Sequence, residues 1–103
     1  MSQANTLRGE ATLVIAGREH VMRPTFAALV AAEEELGALF PLVERAAEGA
    51  LRLHEIAALF DHLSAGRSVE ITRERIGQAI VETGLAGIGP ALRLVLSQIL
   101  KGR

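Results

Sequence analysis

The chain has 103 residues, half of them hydrophobic, with 11 basic and 12 acidic side chains and a formal net charge of −1. That length suits one domain over 1–103 with a modest core, and the absence of cysteine excludes disulfides, thiolate catalysis and cysteine-based zinc sites. Five basic and nine acidic groups precede residue 66 and six and three follow it, yet the basic end is sparse and three Phe are the sole aromatics, so nucleic acid is not an expected partner.

Residues 7–23 alternate as a β-hairpin. Leu13 and Ile15 face one way and Thr12 and Val14 the other, Ala16-Gly17 supplies the turn, and His20 to Arg23 returns as the second strand. Pro24 disfavours helix at Arg23, Thr25 caps a new helix, and Phe26, Leu29, Val30 and Leu36 form its apolar stripe as far as Gly37. An isolated hairpin is marginal in water, so its apolar face must rest on the helices or on another chain. Its edges offer unpaired N–H and C=O groups to a neighbouring strand.

Leu39, Leu42, Val43, Ala46 and Ala47 keep one stripe up to Gly49, with Pro41 tolerated in the first turn. Leu53, Ile56, Leu59, Phe60 and Leu63 give the cleanest stripe, opposite Arg52, Glu55 and Asp61, with Gly66 as its stop. Val69-Glu-Ile71 is brief and extended; Thr72 then caps a fourth helix with Ile76, Ala79 and Ile80 inward, ending at Gly84. Gly84 to Gly89 reads as a glycine-rich connector and hinge, after which Pro90 opens a last helix carrying Leu92, Val95, Leu96 and Ile99 on one face. The expected fold is mainly α, a helix-dominated α+β arrangement: the hairpin over 7–23, then a bundle of about five short helices over 25–103.

Local motifs give no support for catalysis, a cofactor or a metal. Glu33, Glu34 and Glu35 point about 100° apart on a helix and cannot converge on one ion. His54-Glu55 begins like a zinc-protease helix, but Ala58 stands where the second His belongs, so His54 and His62 read as surface residues. Gly84-Leu-Ala-Gly87-Ile-Gly89 lacks the strand and the Gly-Lys-Ser/Thr ending of a phosphate loop. Glu33 alone is odd, because it falls within the stripe of Phe26, Leu29, Val30 and Leu36; such a carboxylate must pair with Arg23, His20 or another nearby Arg, bend out to water, or meet a partner. The apolar arc of the last helix is wider than one contact needs, and Leu94 lies on its otherwise polar side. No apolar run approaches the roughly 18 residues of a membrane span. Met1-Ser-Gln-Ala-Asn5 lacks the basic start of a signal peptide, so a cytoplasmic bacterial protein without a membrane partner is expected.

The order of these features, with Arg8-Gly-Glu10, Gly17, Arg23-Pro-Thr25 and a Glu-rich helix closing on Leu36-Gly37, resembles the small tail proteins of gene transfer agents. That phage-derived family carries both the labels tail tube and tail assembly chaperone, and the resemblance is strongest over about residues 5 to 45. It implies a non-enzymatic role in tail morphogenesis: a chaperone that coats the tape-measure protein and delivers tail-tube subunits. A permanent tube component and a small helical regulatory module unrelated to tails are the alternatives. Geometry nominates Val21 and Arg23 on the hairpin edge, Glu33, and Leu94 on the last helix as partner-binding residues, and a homo-oligomer is compatible with these surfaces.

Overall fold

In the computed structural model, which describes residues 10–15, 17–64 and 71–102, the period-two segment forms β1 (Ala11–Ile15) and β2 (Arg18–Met22). The strands pair antiparallel with Leu13 opposite His20 and Ile15 opposite Arg18, and Gly17 turns the chain with φ of 78°. A residue with a side chain is strained there, which is why glycine suits the turn. Ala11, Leu13, Ile15 and Met22 are buried, while Val14 is exposed as the alternation requires. Residues 7–9 of the expected hairpin lie outside the described residues. The hairpin is tied down at its exit: Met22 bridges Ser64, and the Arg23 N–H donates to the Leu63 carbonyl at 2.7 Å.

Five helices follow among the described residues: α1 (Phe26–Leu36), α2 (Leu39–Ala47), α3 (Leu53–Leu63), α4 (Arg73–Thr83) and α5 (Leu85–Lys101). Thr25 caps α1 by accepting from the Ala28 N–H at 3.2 Å, and Thr72 caps α4 by accepting from Arg75 at 3.3 Å. The central element is α3, in which Ile56, Ala57, Ala58, Leu59, Phe60 and Leu63 are all buried. It packs against α1 and α4, while α4 and α5 cover β1. The same core cluster holds Met22, Phe60, Ile76, Ile80 and Val95, so hairpin and helices close over one interior. The expected termination at Gly66 and the extended residues Val69 and Glu70 lie outside the described residues. No single helix among the described residues is long and apolar enough to cross a membrane.

Three expectations need correction. The inward face of α1 is Ala28, Leu29, Ala32 and Leu36, with Ala32 fully buried, whereas Phe26 and Val30 are exposed. Small residues let α1 approach α3 closely, so bulk was a poor guide to the stripe. Leu53 likewise lies on the surface and does not complete the α3 stripe. The glycine-rich segment is helical: α5 begins at Leu85, directly after Gly84, whose φ of 87° turns the chain by 118° between α4 and α5. Ile88 is buried and extends the inward face of Ala91, Leu92 and Val95 back by one turn, which outweighs the cost of glycine in a helix. A Cβ at Gly87 would lie 2.8 Å from the methyl of Thr83, so a larger residue there would have to turn that exposed side chain aside.

Of the three Phe, just Phe60 is core; Phe26 is 85% exposed and Phe40 72%. Phe60→Ala is expected to cost about 3–5 kcal/mol, whereas Phe26→Ala and Phe40→Ala are expected to stay within about 0.5 kcal/mol. Urea midpoints of the three variants test this, and equal shifts would refute the placement of the core.

Candidate protein-docking surface

The four residues nominated from sequence do not form one site. Val21 pairs with Thr12 on the face of the hairpin away from Leu13, yet it is 5% exposed and its side chain is not offered at an edge. Arg23 is half-buried and its Nε lies 3.3 Å from Glu10 Oε2, so it serves the hairpin entrance and not Glu33. Leu94 is half-buried and packs against the core, where solvent exposure was expected. Glu33 is exposed, on the outward ridge with Phe26 and Val30; its carboxylate accepts from the Leu39 N–H at 3.3 Å and so caps α2, which has no capping side chain of its own.

Two carboxylates hold the helices together: Glu35, set aside above as one of a run of three, and Glu55, which is buried although the sequence places it on the polar side of α3. Glu35 on α1 accepts from His62 Nε2 on α3 at 2.7 Å and makes a two-pronged pair with Arg73 on α4, one prong at 2.8 Å. Arg73 Nε also donates to Asp61 at 3.0 Å. His62 is therefore a partly buried member of this cluster and not a free surface histidine. Glu55 is buried, takes both guanidinium prongs of Arg45 at 3.0 and 2.8 Å, and accepts from the Arg52 N–H at 2.9 Å, so it caps α3 and anchors α2 to it. Arg73 first, then His62, holds the Glu35 carboxyl at about 2; Arg45 first, then the Arg52 amide, holds Glu55 at about 2. Among the described residues no group of three His, Asp or Glu could hold a metal ion.

What remains is apolar surface around α2. This helix buries Leu42 alone and stands at the margin of the core, which leaves a groove on each flank. One, of about 320 Å³, is lined by Glu33, Leu39, Phe40, Ile99 and Leu100. The other, of about 630 Å³, runs between α2 and α5 over Val43, Ala46, Leu92 and Leu96, with Arg93 and Lys101 beside it. Val43 and Leu100 line both. Of the sequence-nominated residues, Glu33 is the one found here. Phe40 was detectable in principle, because it sits about 100° off the stripe of Leu39, Leu42 and Val43.

Architecture and surface define a helix-dominated α+β protein with apolar grooves beside α2 and no metal-binding cluster among the described residues. The chain belongs to the family described as phage tail tube protein, GTA-gp10, whose model matches residues 8–102. It is thus a phage-tail-related protein of gene transfer agent type, and a module unrelated to tails is no longer in play. No curated protein and no solved structure matches the chain.

The two carboxylate pairs set a pH dependence. Because Glu35 and Glu55 titrate near 2 when folded against an ordinary 4.5, folding releases protons between those values. Their stabilisation is complete above about pH 4.5 and is lost as pH falls toward 2. Glu35 is partly exposed, so its share is screened to about 1 kcal/mol or less. Urea midpoints at pH 6 and pH 3 are expected to differ less in Glu35→Gln/Glu55→Gln than in wild type; an unchanged difference would remove both pairs from the account.

Proposed function

We propose that this protein is a non-enzymatic tail assembly chaperone that binds the tape-measure protein and tail-tube subunits and acts in the bacterial cytoplasm, in passing contact with the growing tail. The observation that carries the reading is the placement of the aromatics. A 103-residue protein with three Phe keeps two of them outside its core: Phe40 lines the smaller groove beside α2, and Phe26 stands with Val30 on the exposed side of α1. Exposed apolar side chains that gather into one patch, as Phe40 does with Leu39, Ile99 and Leu100, mark protein-interaction sites. Contacts of this kind, few and without buried charge, are weak and reversible, as shielding a sticky client requires. A client helix laid into the groove lined by Leu39, Phe40 and Ile99 would be held by alternate turns of apolar side chains.

The second reading is a permanent tube component, and the family description, which speaks of a tail tube protein, favours it. Composition of finished tails separates the two. A chaperone leaves before completion, whereas a tube component remains in stoichiometric amount.

Wild-type protein is expected to co-purify with the tape-measure and tail-tube products of its own locus. Phe26→Ser/Phe40→Ser is expected to keep its circular dichroism and thermal midpoint while losing at least nine-tenths of that capture. Capture of neither product across low and high salt would sink the chaperone reading, and stoichiometric recovery from finished tails would replace the chaperone with the tube component.

A further inference from the structure

The outward side of α4 carries Glu74, Gln78, Val81 and Glu82, all exposed, with Val81 63% so. These residues line a broad depression of about 870 Å³ between α3 and α4, into which Leu53 also opens. On α5, Arg93, Ser97, Leu100 and Lys101 border the groove against α2. The two sets occupy the same helical offsets: a charge, a polar residue one turn on, then an apolar residue and a second charge. In each, the charges are eight residues apart, about 12 Å along the helix axis. They differ in sign. Acid–polar–apolar–acid on α4 faces base–polar–apolar–base on α5.

None of Glu74, Glu82, Arg93 and Lys101 is in an ion pair among the described residues. Of the other cations of α4, Arg73 is committed to Glu35 and Asp61, and Arg75 lines a cleft beside Ile15 that Gln78 and Glu82 share, without an ion pair to Glu74 or Glu82 among the described residues. No carboxylate lines the α2–α5 groove. Arg93 has a definite seat there, because Gly89 lacks the Cβ that would lie 3.2 Å from its guanidinium. The two faces share no lining residue, so one copy can use both at once.

We infer that copies of this chain associate head to tail, the acidic ridge of α4 on one copy seating in the basic-bordered groove between α2 and α5 of the next. The contact is heterologous, and it produces a ring or an open string of copies according to whether its rotation closes. Charge matching sets orientation and apolar contact between Val81 and the groove supplies attraction. This goes beyond the chaperone reading and stands on the two surfaces alone.

The test is mass in solution by sedimentation at low salt, with two double variants at exposed positions. Wild type is expected to exceed its 11.0 kDa monomer mass increasingly with concentration, and to return toward it at high salt. Glu74→Lys/Glu82→Lys, and separately Arg93→Glu/Lys101→Glu, are each expected to associate at least tenfold more weakly. Mixed one to one, they are expected to recover association, because each then presents the sign the other needs. Wild type that stays monomeric to about millimolar concentration overturns the inference, as does a mixture no better than its parts. A monomeric wild type whose capture of tail proteins is lost in the groove variant alone would give the groove to an acidic client helix and overturn self-association while leaving the chaperone standing.

Discussion

Everything in this fold is arranged around the burial of α3. A chain of this size supports a single interior, and α3 fills its middle, with Phe60, Leu59 and Leu63 fully enclosed. Each surrounding element is then one layer thick, with one face on α3 or on its neighbours and the other toward solvent. The hairpin, too small to be stable alone, lies beneath α4 and α5 and is clamped to the end of α3 by the Arg23–Leu63 hydrogen bond and the Met22–Ser64 bridge. A chain so constrained has no hidden place for surplus apolar side chains, so Phe26, Phe40 and Val81 face outward.

Charge finishes what packing begins. Apolar contact fixes the distance between helices but is tolerant of rotation, whereas Glu35 reaching His62 and Arg73 specifies how α1, α3 and α4 are turned relative to one another. Glu55 does the same for α2, which buries one residue and would otherwise be loosely held. Such pairs contribute little net stability, so their weight lies in orientation. By fixing α2 at the margin, the Arg45–Glu55 pair also keeps open the grooves on both of its sides.

The elements were legible in the sequence because their boundaries rest on local chemistry: Pro24 and Thr25 before α1, Thr72 before α4, and glycine after the helices. Faces were legible where one residue class dominated, as for Ile76, Ala79 and Ile80 in α4. They were misread in α1 because alanine is apolar without being bulky, and the burial of Ala28 and Ala32 depends on how closely α3 can approach. Gly84 to Gly89 misled for the reverse reason. Glycine argues for a connector on propensity, but the tertiary gain from burying Ile88 decides the matter. The pairings of Glu35 with Arg73 and of Glu55 with Arg45 were not legible, because the partners lie 38 and 10 residues away and no periodicity links them. Of the nominated surface residues, Glu33 lines a groove while Val21 is buried, although it shares the outer face of the hairpin with exposed Val14, and strand alternation cannot say which positions of that face are covered.

A net charge of −1 gives copies of this protein little mutual repulsion and little net attraction. What matters is that the charge is divided, carboxylates along the outside of α4 and cations along α5. With near-zero net charge, any contact between copies or with a client gains its affinity from the exposed apolar residues, and the charges select among orientations. An arrangement of that kind is weak at each contact and directional over many. The proposed chaperone, which would line a client and then be displaced from it, calls for both properties. Uniform charge would give neither, because like-signed faces repel in every register, and purely apolar grooves would bind without preference for direction.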